Sequence, residues 1–141
     1  MDDHELIAEN LHLISEREPR ITERLFERFF ERHPELRELF GPHSAPIKED
    51  MLMETLVGAV DSLDGVPWLE SNMELLGVKH AKCEVHDEMY DWWTECVLET
   101  LADISSTDWT PRLAEVWKQQ LSHLCTVMRE SAGKISCPHD G

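Results

Sequence analysis

The chain has 141 residues, enough for one domain with a substantial core and room for a single cofactor. Apolar residues make up 41% of it and charged residues 30%, the balance of a globular chain rather than a disordered one. A formal net charge of −16 argues against general affinity for nucleic acid or an anionic membrane, since both are polyanions themselves.

The first helix is expected from about Asp3 to Arg17, where Leu6, Ile7, Leu11 and Ile14 recur at helical spacing. Pro19 suits the first turn of a second helix, because its missing N–H costs nothing there. That helix presents Ile21, Leu25, Phe26, Phe29 and Phe30 and ends at His33-Pro34. A short turn from Pro34 to Phe40 and a corner, Gly41-Pro42-His43-Ser44-Ala45-Pro46, lead into a third long helix reaching about Leu63. Its apolar stripe reads Leu52, Met53, Leu56, Ala59, Val60 and Leu63.

Asp64-Gly65-Val66-Pro67 breaks the pattern, and a segment from Trp68 carries Leu69, Met73, Leu76 and His80 at helical spacing. After Val85-His86-Asp87 a long helix runs to about Ile104, with Asp87 as its cap. Thr110-Pro111 opens the last helix, marked by Leu113, Val116, Trp117, Leu121, Leu124, Cys125 and Met128. Residues Gly133 to Gly141 read as a frayed tail, so the domain is placed at 1–132 and the tail at 133–141. No segment alternates with period two, so the chain reads as all-α with about seven helices. Their unequal lengths suit crossed helices around a pocket better than a four-helix bundle.

The acidic run Glu16, Glu18, Glu23, Glu27, Glu31, Glu35 and Glu38 is interleaved with arginines and is expected to be a solvated face. No apolar run approaches the roughly 20 residues of a membrane span. The start, Met1-Asp2-Asp3-His4-Glu5, lacks the basic and apolar stretches of a signal peptide, so a cytoplasmic location is expected. Cys83, Cys96, Cys125 and Cys137 form no CxxC pair and read as free thiols, Cys96 and Cys125 in the core and the other two exposed. Cys137-Pro138-His139 is better read as tail than as a metal site. A di-iron bundle would need Glu-x-x-His repeated on two helices, and the repeat is missing. Neither a nucleophile elbow nor a glycine-rich phosphate loop is present, which leaves hydrolase chemistry without support.

A lone histidine on an apolar helical face is ordinarily a satisfied core or surface residue, and His80 gains weight only from its context. Pro34-Glu35-Leu36-x-x-x-Phe40, then Leu76-Gly77-x-x-His80, Val85 five residues on, Tyr90 at +10 and Trp117 occur in one order and spacing. Over roughly Leu6 to Met128 the chain resembles the globins, especially single-domain bacterial globins and the haem domain of flavohaemoglobins. The resemblance implies a globin fold, three helices over three around a haem pocket, with His80 as the proximal iron ligand. It implies one b-type haem (iron protoporphyrin IX), non-covalent because no CxxCH motif is present.

An imidazole suits that role, one nitrogen binding iron while the other donates a hydrogen bond that fixes the ring. The pocket walls are expected from Phe26, Phe29, Phe40, Leu52, Leu56, Leu76, Val85, Tyr90 and Trp93, although core packing explains Phe29, Leu56 and Trp93 equally well. The departures bear on function. Where the bacterial proteins usually offer a tyrosine hydroxyl to the gas, this chain has Phe26; the distal glutamine or histidine position falls on Lys48, or on Met51 or Leu52 if the corner shifts the register. Lys48 can turn to solvent, hydrogen-bond a ligand or, as a neutral amine, bind iron, and turning to solvent is the simplest of these.

Tyr90 matches the tyrosine that flavohaemoglobins place against the proximal histidine, but the partnering glutamate's position falls near Ala132, with Glu130 only approximately in place. No reductase domain follows in this sequence, so NO dioxygenation would need a separate reductase. The expected function is binding of a diatomic gas (O2, NO or CO) for carriage, sensing or redox chemistry, by a monomer or homodimer. The alternative is a haemless globin-like sensor or protein-interaction module, for which an imidazole at His80 would have no purpose.

Overall fold

The structure, a computed structural model, describes residues 2–40, 45–63, 71–75, 77 and 87–136. Among them the elements are α1 (Asp3–Arg17), α2 (Ile21–Arg32), a 3-10 turn Pro34–Leu36, α3 (Arg37–Phe40), α4 (Ala45–Leu63), α5 (Asp87–Ser105), a 3-10 turn Ser106–Asp108 and α6 (Pro111–Ser136). Residues 71–75 are also helical, and no strand occurs among the described residues. The all-α architecture expected from the sequence is the one observed.

Capping follows residue chemistry. Asp2 accepts a hydrogen bond from the Glu5 N–H at 2.8 Å and opens α1, and Thr110 accepts one from the Leu113 N–H at 3.1 Å and opens α6. α2 departs from expectation: Pro19 lies in a turn, and the helix begins at Ile21, with the Ile21 N–H reaching the Glu18 carbonyl at 3.2 Å. α5 stops at Ser105, and Ser106 takes a left-handed φ of 53°. Arg17 donates to the terminal carbonyls of Ile104 and Ser105 at 3.2 and 2.8 Å, placing a cation at the negative end of that helix. α6 continues to Ser136, so the first four residues of the expected tail are helical.

α4 and α5 both pack on α6, α2 packs on α5, and α1 touches α4, α5 and α6. The core that they share includes Ile7, Ile14, Leu25, Leu52, Leu56, Val97, Leu101, Trp117 and Leu121. Trp117 is wholly buried and donates its indole N–H to Asn10 Oδ1 at 3.0 Å, while Asn10 Nδ2 donates to Ser105 Oγ at 2.9 Å. This chain of bonds ties α1, α5 and α6 together with its polar atoms satisfied.

The arginines of α2 do more than solvate its own glutamates. Arg28 pairs with Asp103 and Arg32 with Glu99, so the charged face of α2 is stitched to α5. One stripe residue is misplaced by periodicity alone: Met53 is exposed, while Leu52, Leu56 and Ala59 are buried. Gly77 meets α6 so closely that a Cβ added there would lie 2.4 Å from the Met128 carbonyl oxygen. Among the described residues, no helix is long and apolar enough to cross a membrane.

Candidate functional site

The spacing Phe26, Phe29, Phe30 places three rings on one face of α2. Phe26 lies at the centre. Its ring centroid is 5.2 Å from that of Phe40 in α3 and 5.3 Å from that of Trp93 in α5, the first pair edge-to-face and the second tilted. Phe29 meets Trp93 edge-on at 5.4 Å, and Phe30 meets Phe40 at 5.5 Å.

α4 closes this aromatic wall with its inward face. The Lys48 ammonium stands 5.1 Å from the centre of the Phe30 ring and 5.8 Å from that of Phe26, rather than turned out to solvent. Two turns further on, Thr55 accepts a hydrogen bond from the Trp93 indole at 3.2 Å and donates its own to the Met51 carbonyl at 2.8 Å. Leu52 and Leu56, both fully buried, join the same core. Phe26, Phe40, Lys48 and Trp93 are therefore brought into direct contact, with Leu52 and Leu56 in the adjoining core.

Tyr90, one turn before Trp93, is buried against a different neighbour. The Arg129 guanidinium of α6 covers its ring at 5.5 Å and pairs with Asp91 at 2.5 Å. A cation thus packs on this tyrosine, and Glu130 is exposed on the surface of α6. Nearby, the Thr94 hydroxyl lies 3.4 Å from the Cys125 thiol. Burial pushes the Cys125 thiol up and raises Cys96 to about 11, so both stay protonated at neutral pH and are no nucleophiles. Both are buried free cysteines, as the sequence suggests.

His80, Leu76 and Val85 lie outside the described residues, as do Cys83 and Cys137. Among the described residues no cluster of three or more histidine, cysteine or acidic side chains is arranged for a metal ion. Two site residues escape sequence reasoning. Thr55 falls at i+7 from Lys48, a spacing that marks it as a neighbour on the same face, but nothing local points to Trp93 as its partner. Arg129 is legible only once α5 and α6 are packed together.

Known proteins share the sequence pattern and the fold of this chain. A flavohemoprotein of Vibrio cholerae (serotype O1) is 24% identical over 132 residues, covering 92% of this chain and 34% of its own length, so the chain spans about a third of that relative. Two solved structures share the fold. One is an engineered carbene transferase made from a proposed nitric oxide dioxygenase of Rhodothermus marinus, with a TM-score of 0.78 and 20% identity over 94% of this chain and 92% of that one. The other is a bacterial globin of Campylobacter jejuni, with a TM-score of 0.76 and 13% identity over 94% of this chain and 95% of its own. The family model for globins matches residues 23–128, from the first turn of α2 into α6. The chain belongs to the globin family.

Proposed function

We propose that this chain binds one non-covalent b-type haem and, through its iron, a diatomic gas. His80 is the ligand to the metal, and Phe26, Phe40, Leu52, Leu56, Tyr90 and Trp93 supply the walls together with Leu76 and Val85. The observation that carries the reading is the contact of Phe26, Phe40 and Trp93 from three separate helices with Lys48 at their edge. A planar apolar macrocycle is suited by such a wall, because its polar groups satisfy one another: the Trp93 N–H is held by Thr55, and the Thr55 hydroxyl by the Met51 carbonyl. Lys48 has no carboxylate partner among the described residues and is available to an anionic group at the rim.

When bound, the cofactor would supply an iron able to take up the gas. The rest is the work of the chain's own residues. His80 offers the neutral imidazole, Phe26 excludes water without offering a hydrogen bond, and Lys48, whose charged ammonium rests on ring faces, is the donor beside the pocket rather than a second ligand. Oxygen held by such a wall is held loosely. Turnover of the gas, as opposed to its storage, would draw electrons from a reductase.

Expression with ample haem, followed by absorption spectra of wild type and His80→Ala, tests the reading. The wild type is expected to show the intense Soret absorption of a bound haem, and the variant to lose or shift it. A colourless wild type, or a variant with unaltered spectra, sinks the proposal, the former in favour of a haemless globin-like module.

A further inference from the structure

Four large apolar side chains stand in solvent among the described residues, and three share one helix: Ile47 is 57% exposed, Met53 38% and Val57 46%, with Leu75 at 55% elsewhere. At 3.6 residues per turn, Ile47, Asp50, Met53, Glu54, Val57 and Asp61 fall within about 120° of arc on the outward face of α4. Exposed apolar groups gathered on one face, rather than scattered, mark a contact surface. The charges around them indicate what fits.

Asp50, Glu54 and Asp61 have no ion-pair partner among the described residues, and α4's single cation, Lys48, lies on the other side of the helix over Phe26 and Phe30. Three acids of α5, Asp91, Glu99 and Asp103, are by contrast met by Arg129, Arg32 and Arg28. A second copy laid on α4 would set acid against acid in a chain of net charge −16, and an anionic lipid surface would be repelled for the same reason.

We propose that the outward face of α4 is the docking surface for an electron-donating protein, a partner that presents an apolar patch rimmed by lysine or arginine. This rests on the haem-binding function proposed above. The inward face of the same helix carries Lys48, Leu52, Thr55 and Leu56, so a docked donor is separated from the site by one helix diameter, about 10 Å. That is short enough for direct electron transfer. In the transfer one electron leaves a reduced flavin or iron–sulfur centre of the donor and converts ferric to ferrous iron, with no atom exchanged.

The test uses NADPH-reduced ferredoxin–NADP reductase, a flavoprotein with a basic docking face, against haem-loaded wild type, Asp50→Lys/Glu54→Lys and Val57→Ser. Direct binding and the rate of ferrous formation under carbon monoxide are both measured, with neutral photoreduced deazaflavin as a donor that needs no docking. The charge-reversed variant is expected to bind at least ten-fold more weakly and to be reduced at least ten-fold more slowly by the reductase, and Val57→Ser about three-fold. Deazaflavin rates stay unchanged, and wild-type binding weakens with added salt. Unchanged binding in both variants, or no saturable salt-sensitive binding by the wild type, overturns the docking surface. A concentration-dependent dimer abolished by Val57→Asp assigns the face to a second copy and overturns it as well. A colourless wild type instead overturns the haem reading and the electron-supply role with it, which separates the two failures.

Discussion

Trp117 and Trp93 are both buried, and each donates its indole N–H to a polar side chain, yet their neighbourhoods serve different ends. Around Trp117 the acceptor Asn10 is itself bonded to Ser105, and the bonds join three helices. Around Trp93 the acceptor Thr55 is bonded back to its own helix at Met51, and the remaining surface of the indole faces the Phe26 and Phe29 rings. The first arrangement locks helices to one another. The second keeps a polar bond off an aromatic wall and leaves that wall apolar, as a cofactor slot requires.

The sharpest break of this contrast is truncation at the locked end. Trp117→Ala is expected to destabilise the fold by about 3–5 kcal/mol, from lost packing and from the unsatisfied Asn10 acceptor. Trp93→Phe removes one hydrogen bond and only part of the indole, for a cost of about 1–2 kcal/mol, because most of the ring packing remains and Thr55 keeps its bond to Met51. Denaturant midpoints of the two variants measure both, and equal losses would erase the distinction.

Next in size is Gly77. A methyl group there would lie 2.4 Å from the Met128 carbonyl oxygen and 2.9 Å from its Cα, and both are backbone atoms that cannot swing aside. Gly77→Ala is therefore expected to cost about 3 kcal/mol, the upper end of ordinary overpacking. Denaturation at neutral pH reads the loss. A variant as stable as wild type would mean that the helical segment at 71–75 is not pinned to α6 through this contact.

Much of this was legible beforehand, for physical reasons that differ by residue. Proline and glycine between periodic stretches mark the helices, and the spacing of Phe26, Phe29 and Phe30 places them on one face whatever they pack against. Phe40 and Trp117 entered through their place in a recurrent pattern. Met53 sits at the border of the apolar arc of α4, where periodicity cannot say which side of the border is covered. Lys48 has a long flexible stem, and only the neighbouring rings decide that it turns inward. The Thr55–Trp93 and Arg129–Tyr90 contacts join residues 38 and 39 positions apart in the chain, a relation that the fold creates and local pattern does not carry.

The core thiols extend the comparison to pH. Cys96 is buried beside the Leu25 carbonyl, and desolvation of its thiolate raises it to about 11 from an ordinary value of 9.0, against the opposing pull of Arg28 and Arg32. A folded value above the unfolded one means that the unfolded chain loses its proton first as pH rises. The stabilisation is complete below about pH 9 and declines as pH climbs through about 11. The loss expected across that range is about 2 kcal/mol. Cys96→Ala should flatten the alkaline decline relative to wild type in urea melts across that range. Parallel curves would show that other groups carry it.

A change that acts on the ligand instead of the fold probes the wall itself. Phe26→Tyr adds a hydroxyl to the ring at the centre of the aromatic cluster, with little change of volume and with its edge-to-face contact to Phe40 retained. If the proposed haem and gas are bound, a phenol beside the gas would donate a charge-assisted hydrogen bond, stronger than a neutral one. A gain of about 1.4 kcal/mol corresponds to a ten-fold slower oxygen dissociation. Stopped-flow dissociation on wild type, Phe26→Tyr and Lys48→Met separates the two donors available to the pocket. If Lys48 already reaches the gas, its removal speeds dissociation and the added hydroxyl gains little. If the ammonium stays on the Phe26 and Phe30 rings, where it is found, Lys48→Met leaves the rate alone and Phe26→Tyr slows it in full.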